Sequence, residues 1–195
     1  MTKAERTKKF IIEQAAPIYN EKGVAGTNVD DILEATKLTK GAIYSHFKNK
    51  DDLSTQVTDY LLAKITFGTD QAISKGKTAK EKIFAYLDFN TRPLETYIKG
   101  GCPIFNLAVE ADDNNACIKS KVRERLLDSQ EYFASILRDG IKDGEFSSML
   151  DPEAFAFRMY ASIEGGMVIC RAMDNEAPMR VLIDGLKNEL HRYSS

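Results

Sequence analysis

Apolar residues recur every three or four positions along most of this 195-residue chain, which is the spacing of one face of an α-helix. Alternating apolar and polar runs, the pattern of a half-buried strand, extend over only a few positions. Within the clearest helical stretch, Cys117 to Lys142, the apolar residues are Ile118, Val122, Leu126, Phe133, Leu137 and Ile141. Glycines and prolines interrupt the pattern at Gly23, Gly76, Pro93, Gly100 and Gly144. The sequence therefore predicts an all-α protein of about nine helices.

The residues that build most metal centres and nucleophilic sites are few and scattered. Cys102, Cys117 and Cys170 have no CxxC spacing, and His46 and His191 lie in unrelated regions. Zinc sites and disulfide frameworks are therefore not expected. We find no paired acid and base, or nucleophile and base, in the larger acidic part of the chain. The sequence thus predicts no catalytic residues, no metal and no cofactor, and argues against an enzyme.

Two further patterns bear on the location of the protein. No segment approaches the roughly 18 consecutive apolar residues of a transmembrane helix. The first residues, Met1 to Arg6, lack the apolar run of a signal peptide. We therefore expect a protein of the cytoplasm that has no membrane partner.

Charge is distributed unevenly along the chain. The net charge of −2 is unusual for a nucleic-acid-binding protein. Residues 1–50, however, carry nine Lys and Arg against six Asp and Glu, a net charge of +3. Residues 51–195 carry 18 against 23, a net charge of −5. A basic head on an acidic body suits a protein that brings only one end to phosphates.

The basic head contains a candidate helix-turn-helix. The pattern predicts helices over about Lys3–Lys22 and Val29–Thr36, then a third helix that Thr39 caps and that reaches about Phe47. Thr27 and Asp30 form a capping-box pattern ahead of the second helix. The expected buried set is Val29, Ile32, Leu33, Leu38, Ala42, Ile43 and Phe47. The outward set on the third helix is Thr39, Lys40, Tyr44, Ser45 and His46, whose hydroxyl, amine and imidazole groups suit phosphates and base edges.

The segment Glu21 to Leu53, EKGVAGTNVDDILEATKLTKGAIYSHFKNKDDL, closely resembles the DNA-binding domain of the TetR/AcrR family of bacterial regulators. The matching positions are Gly23, Thr27, Ile32, Ala35, Leu38, Thr39, Lys40, Gly41, Ile43, Tyr44, His46, Phe47, Lys50 and Leu53. Lys37 departs from the pattern, because a glycine is common at that turn position. The resemblance implies a helix-turn-helix domain over residues 1–48 and a double-stranded DNA operator as partner.

The resemblance also implies roles for individual side chains. Thr39, Lys40, Tyr44 and His46 lie where the family's recognition helix meets the major groove and its phosphates. Phosphate contacts are implied for Thr27, Asn28, Lys48 and Lys50, and contacts with flanking DNA for Lys3, Arg6 and Thr7. Gly41 would allow close approach to the DNA backbone, Ser45 shares the outward face, and Lys37 adds positive charge near DNA. Alternatively, Tyr44 packs at the edge of the small core, His46 packs or caps, and Lys48 and Lys50 are only solvated.

Beyond the head, the resemblance implies a helical ligand-binding and dimerisation domain over residues 49–195. GGCPIFNLAVEADDNN (residues 100–115) and IEGGMVICRA (residues 163–172) resemble one recurrent subgroup of these regulators. The last two predicted helices carry apolar stripes that would pack in a homodimer as a four-helix bundle. The predicted interface residues are Phe155, Met159, Ile163 and Met167 on the first helix and Leu182, Leu186 and Leu190 on the second. Alternatively, both stripes face a monomeric core.

The expected partner of the larger domain is a small, mostly apolar or aromatic effector. Candidate pocket residues are Phe67, Phe84, Leu87, Tyr97, Phe105, Asn106, Tyr132 and Tyr160, although aromatic residues at helical spacing are often plain core. The leading hypothesis is a homodimeric repressor whose effector shifts the population of DNA-binding states. A second hypothesis makes Cys102, after two glycines at a helix start, a redox or electrophile sensor. A third is a helical small-molecule-binding protein or enzyme without DNA function.

Overall fold

The computed structural model describes residues 1–113 and 115–194. Over these residues the chain forms nine helices, and the only β-type pairing is an isolated bridge between Phe146 and Ser194. The helices are α1 (Lys3–Gly26), α2 (Val29–Thr36), α3 (Lys40–Tyr44), α4 (Lys50–Ile73), α5 (Ala79–Phe89), α6 (Pro103–Ala111), α7 (Ala116–Lys142), α8 (Pro152–Ala172) and α9 (Ala177–Arg192). The predicted all-α fold is confirmed.

The chain divides into two compact units. Unit 1 consists of Met1–Ile65 and Ile98–Arg123, and unit 2 of Thr66–Tyr97 and Glu124–Ser195. The helices α4 and α7 each contribute residues to both units. The family-based division into residues 1–48 and 49–195 remains a prediction about separate roles along the chain.

The core of unit 1 joins α1 to α4 around side chains that lie at helical spacing. Its buried members include Ile11, Ala15, Tyr19, Ile32, Ile43, Phe47, Leu53, Val57, Leu61 and Ile98. Burial of a Leu, Ile or Phe side chain contributes roughly 1.5–3 kcal/mol relative to exposure. The Tyr19 hydroxyl lies 3.0 Å from the Ser54 hydroxyl, which satisfies both groups inside this core. Burial confirms the core assignment of Ile32, Ile43 and Phe47.

The capping box at the start of α2 lies one residue later in the structure than the sequence predicted. Gly23 has φ +77° and ψ 170°, so the regular helix stops there before one further turn. The Thr27 hydroxyl donates to the Gly23 carbonyl at 2.6 Å, and Asp31 rather than Asp30 accepts from the backbone N–H of the N-cap residue Asn28 at 2.9 Å. The predicted pairing of Thr27 with Asp30 is therefore wrong, because the hydroxyl of Thr27 closes α1 and does not open α2.

Unit 2 packs α8 against α9 and α5 against α9. Phe155, Met159, Ile163, Met167, Leu186 and Leu190, all predicted at a dimer interface, are at most 8% exposed in this single chain, and Leu182 is half-buried. A Cβ placed on Gly166 of α8 would meet the Leu182 side chain of α9 at 3.2 Å, so the two helices approach closely within one subunit. The apolar stripe that periodicity identified thus packs in the subunit's own core, and the part of these residues in a dimer interface remains a prediction.

A different face of the same two helices remains uncovered. Its apolar members are Phe157, Val168 and Ile169 on α8, Met173 directly after α8, and Val181 on α9, each 44% exposed or more. Gly165 lies on α8 with no described atom within 4 Å of an added Cβ. We refer to these residues as the α8–α9 outer face.

The described residues include neither a membrane-spanning helix nor a metal-binding cluster. None of the helices is long and apolar enough to cross a membrane. Across residues 1–113 and 115–194, no group of three or more His, Cys, Asp or Glu side chains is placed to hold a metal ion.

Candidate DNA-binding site

The turn between α2 and α3 is built on a non-glycine residue in the left-handed region. Lys37 has φ 57° and ψ 24°, and its backbone N–H donates to the Leu33 carbonyl at 2.8 Å, which ends α2. Glycine is favoured at such a position because it has no Cβ to clash with the backbone. Lys37 adopts this strained conformation although it has a Cβ, and its side chain therefore lies at the turn between α2 and α3.

A short helix, α3, follows the turn and is anchored on one side only. The Thr39 hydroxyl accepts from the Ala42 N–H at 3.2 Å and caps the helix, as predicted. Ile43 and Phe47 insert into the unit 1 core with 1% and 2% exposure. The Lys8 ammonium lies 5.5 Å from the centre of the Phe47 ring. The core thus fixes α3 and leaves the opposite side open.

The predicted DNA-binding residues are mostly accessible. Those that are exposed are Asn28, Lys37, Thr39, Lys40, Gly41, Tyr44, Ser45 and Lys48, and His46 and Lys50 are half-buried. An added Cβ on Gly41 would have no described atom within 4 Å, so the surface there is open. Lys3 and Arg6 are exposed as well, and Thr7 is half-buried. Their contact with DNA remains a prediction.

Thr27 does not fit its predicted role. Its side chain is fully buried, and its hydroxyl is committed to the Gly23 carbonyl. A direct phosphate contact from this hydroxyl is excluded by burial, whereas Asn28, the next residue, is exposed. The hydroxyls of Thr39 and Ser45 also have backbone partners, at Ala42 N–H and the Ala42 carbonyl.

Two carboxylates beside the helix-turn-helix, Asp31 of α2 and Asp52 of α4, have local partners. The Lys22 ammonium donates to Asp31 at 2.6 Å, and this contact, with the Asn28 N–H, holds the pKa of Asp31 below its ordinary value. The Lys48 N–H donates to Asp52 at 2.9 Å and, with Gln56, lowers the pKa of that carboxyl. These carboxylates therefore stay ionised as local partners at neutral pH.

Sequence reasoning missed Lys8 as part of this site. Its ammonium lies over Phe47 and its positive charge helps to lower the pKa of Asp52. Residues 8 and 47 are far apart in sequence, so only the packing of α1 against the helix-turn-helix brings them together. The several basic residues of α1 indicated that this helix could contribute to the site, but the sequence did not show which of its lysines packs against the helix-turn-helix.

The predicted effector residues are divided between the two units. Phe105 and Asn106 belong to unit 1, and the other six belong to unit 2. The Asn106 amide donates to the Asn20 carbonyl, the Asn20 side-chain oxygen and the Gly100 carbonyl at 3.0–3.1 Å, so its N–H groups are occupied within unit 1. Asn106 is therefore corrected from a pocket residue to a link between α6 and α1.

Within unit 2 the aromatic candidates have different surroundings. Leu87 is fully buried core, and Phe84 lies between α5 and α9, 5.1 Å from the His191 ring and 5.2 Å from the Lys187 ammonium. Phe67, Tyr97 and Tyr132 are 58%, 42% and 40% exposed. Tyr160 is half-buried, and its ring centre lies 6.5 Å from that of Phe133.

An aromatic cluster in unit 2 was not anticipated as a group. Phe133 is buried, and its ring centre lies 4.3 Å from Tyr86, 5.8 Å from Tyr132 and 6.5 Å from Tyr160. Burial raises the pKa of Tyr132, and the nearby Asp70 adds to the shift. The Tyr132 phenol is therefore a neutral hydrogen-bonding group beside apolar rings.

Cys102 stands at the N-cap position of α6 and is 8% exposed. Pro103 follows it at the start of the helix, as predicted. Cys117 is exposed and Cys170 is buried. The reactivity of Cys102 remains a prediction, and its burial restricts the access of an oxidant to the sulfur.

A basic, exposed helix set against a turn and supported by a small three-helix core defines a helix-turn-helix DNA-binding protein. Comparison with known proteins gives the same class. A family model described as bacterial regulatory proteins, tetR family, matches residues 11–57. A second model, described as tetracyclin repressor-like, C-terminal domain, matches residues 79–186.

Individual relatives agree over nearly the whole chain. The crystal structure of a TetR-family transcriptional regulator from Cytophaga hutchinsonii is 32% identical with a TM-score of 0.89, and it covers 100% of this chain and 98% of its own. A TetR transcriptional regulator from Chloroflexus aurantiacus is 30% identical with a TM-score of 0.94 and the same coverage. The transcriptional regulator TtgR of Pseudomonas putida is 28% identical over 172 residues, 83% of this chain and 79% of that protein.

The chain belongs to the TetR family of bacterial transcriptional regulators. The resemblance noted over residues 21–53 is thereby confirmed. The relatives are regulators of transcription and not enzymes, so the hypothesis that this chain is a helical enzyme is wrong.

Proposed function

We propose that the protein is a homodimeric repressor that binds a palindromic operator in the bacterial cytoplasm and is released by a small, mostly apolar or aromatic molecule. The observation that carries the proposal is the one-sided anchoring of α3. Ile43 and Phe47 hold the helix in the core, while Lys40, Gly41 and Tyr44 stay at the surface. A short helix that is rigid on one side and polar on the other is suited to the major groove.

Different exposed residues are suited to contact base edges, phosphates and the DNA backbone. The Lys40 and Tyr44 side chains are long enough to reach base edges or phosphates from the face of α3. The backbone at Gly41 can approach DNA most closely, because no described atom lies near its missing side chain. Asn28, Lys48 and Lys50 flank this face and supply further phosphate contacts.

The α8–α9 outer face supports the homodimer. Phe157, Ile169 and Val181 are 57%, 55% and 73% exposed, which is unusual for large apolar side chains on adjacent helices of one unit. We infer that a second copy of the chain covers this face, because two operator half-sites about one DNA turn apart require two recognition helices. Gly165 on this face would permit a close approach between subunits.

The aromatic groups of unit 2 support the class of effector. The cluster around Phe133, with the partly exposed Tyr132, combines apolar rings with phenol hydroxyls. A binding site built on these side chains would favour an apolar or aromatic molecule that carries a few hydrogen-bonding groups. For release, the effector must bind the low-affinity state of the protein more tightly than the DNA-binding state.

Cys102 gives the second candidate signal, oxidation or alkylation of its thiol, which its place at the α6 N-cap favours. A Cys102→Ser variant that responds to electrophiles as fully as the original protein would contradict that signal. The variant should keep full operator affinity in either case.

Two substitutions on α3 test the reading role. Selection from a random duplex library with the purified protein supplies the operator, which should contain two inverted half-sites. Lys40→Gln should weaken binding to that duplex about tenfold, which corresponds to the loss of one good base or phosphate contact. Lys142→Gln, an exposed lysine near the end of α7, is the matched control and should bind as the original protein does.

Gly41→Ala separates folding from binding more sharply. Alanine in place of a helical glycine stabilises a protein by about 0.5–1 kcal/mol, and the free chain has room for the methyl group. If DNA lies against this position, the variant unfolds at a higher temperature and yet binds the operator more weakly. Unchanged binding by both Gly41→Ala and Lys40→Gln, or selection of no inverted repeat at low salt, would refute the proposed interface.

A further inference from the structure

The last turn of α1 is a separate structural piece. After the break at Gly23, the N–H groups of Val24 and Ala25 begin a new turn and cannot be satisfied by regular bonds of the preceding helix. They lie at the junction that leads through Thr27 into α2, the first helix of the helix-turn-helix. Whatever fixes these two amides also fixes the point at which the DNA-binding helices start.

The partner of both amides is a carboxylate from a helix 85 residues further along the chain. Glu110 of α6 accepts from the Val24 N–H at 2.8 Å and from the Ala25 N–H at 2.7 Å, one oxygen for each donor. A Cβ on Gly23 would lie 2.8 Å from one of these oxygens. Gly23 is thus required both by its positive φ and by the space that the carboxylate occupies.

A second polar contact joins the same two helices one turn earlier. The side chain of Asn20, which is 5% exposed, donates to the carbonyls of Lys99 and Gly101 at 2.8 and 3.0 Å. The Asn106 amide donates back to the carbonyl and side-chain oxygen of Asn20 at 3.0 Å. We call Asn20, Asn106 and Glu110 the α1–α6 latch.

The latch joins segments that the sequence assigns to different parts of the protein. The N-terminal family model ends at residue 57, and α6 falls within the C-terminal model, which begins at residue 79. In the structure α6 nevertheless belongs to unit 1, together with the DNA-binding helices. We propose that Glu110 is a positioning residue for operator recognition, which sets the start of the helix-turn-helix by holding the Val24 and Ala25 amides. This inference rests on the proposed DNA-binding function.

Two amide donors need two acceptor oxygens, and this requirement defines the test. Glutamine at position 110 offers one acceptor and one NH₂ group, so one amide of α1 would face a donor. Because loss of a charge-assisted bond at a partly buried site displaces the turn, Glu110→Gln should weaken binding to the selected operator about five- to tenfold. Binding to a scrambled duplex of equal length should change less than about twofold, since phosphate contacts tolerate small reorientation.

The ratio of the two affinities distinguishes positioning from simple loss of fold, because unfolding lowers both affinities together. Asp59→Asn is the matched control, since Asp59 of α4 pairs with Lys121 of α7 at 2.6 Å in the same unit. It should leave the ratio unchanged. Glu110→Asp keeps the charge but shortens the side chain, and it provides an intermediate variant if Glu110→Gln does not fold.

Hydrogen exchange at the Val24 and Ala25 amides is a readout that does not involve DNA. Both amides should exchange at least about tenfold faster in Glu110→Gln and at the original rate in Asp59→Asn. If the original protein binds no duplex more tightly than the scrambled one, the proposed DNA-binding function is refuted. Faster exchange of the Val24 and Ala25 amides in Glu110→Gln would then still support their contact with Glu110. If the original protein prefers its operator and Glu110→Gln keeps the same preference, the positioning role is refuted.

Discussion

Replacing Lys37 with glycine should stabilise the fold and weaken DNA binding at the same time. Lys37 lies at φ 57° and ψ 24°, a conformation that costs a residue with a Cβ roughly 1–2 kcal/mol. Glycine removes this strain but loses more backbone entropy on folding, about 0.5–1 kcal/mol. The net gain in the free energy of unfolding is therefore about 0.5–1 kcal/mol, or roughly 2 °C in Tm for a chain of this size.

The same substitution removes an exposed positive charge at the corner of the proposed DNA interface. Each phosphate contact contributes about 0.9 to the slope of log affinity against log salt concentration. Loss of a Lys37 contact should therefore reduce the slope by about 0.9 in each half-site. Calorimetric melting measures the first effect, and fluorescence anisotropy on the selected operator between about 50 and 200 mM salt measures the second.

Lys37→Arg is the control, because it keeps both the charge and the left-handed strain, and it should change neither Tm nor slope. A lower Tm for Lys37→Gly would refute the strain argument, since the turn would then depend on lysine for a reason other than charge. An unchanged salt slope with a higher Tm would leave the turn geometry supported and remove Lys37 from the phosphate contacts.

Two further predictions concern unit 2. Burial alone would raise the pKa of Glu145, but its carboxylate accepts from the Ala79 and Lys80 N–H groups at 2.9 and 3.1 Å, and these hydrogen bonds outweigh burial and hold the pKa below its ordinary value. Glu145→Gln should lower stability by about 1 kcal/mol at neutral pH, and because the stabilisation by the carboxylate is complete above its ordinary pKa and is lost as pH falls through the lowered pKa, the difference in melting from the original protein should shrink in acid and disappear below that lowered pKa. Phe157→Glu on the α8–α9 outer face should convert a dimer to a monomer in light scattering, whereas Val109→Glu, at an exposed apolar residue of α6, should not; dimeric Phe157→Glu would contradict the interface.

The helix-turn-helix was predictable because its signals are local. The apolar spacing of Ile32, Ile43 and Phe47 and the cap at Thr39 lie within a few turns of one another, and all four behave as expected in the structure. Thr27 was misassigned although it also lies in this segment. A capping hydroxyl can close the helix before it or open the helix after it, and the one-residue offset depends on the break at Gly23.

Longer-range features could not be predicted from spacing alone. The stripe that includes Met159 and Ile163 was identified correctly as apolar, but periodicity does not say whether such a face meets the same chain or a second copy. Asn106 was similarly assigned to a pocket from its residue type and neighbours. Its partner Asn20 lies 86 positions away, so the contact exists only once the fold brings α6 to α1.

The uneven charge of the chain acquires a physical reason from these contacts. The net charge of the first fifty residues is only +3, yet Asp31 within them and Asp52 just after them are engaged by Lys22, by backbone amides and by Gln56. These two carboxylates thus accept hydrogen bonds at the starts of α2 and α4, while Lys37 and Lys40 are exposed at the surface. Net charge therefore understates the basic character of the face proposed for DNA, because the position of each charge decides what the operator encounters.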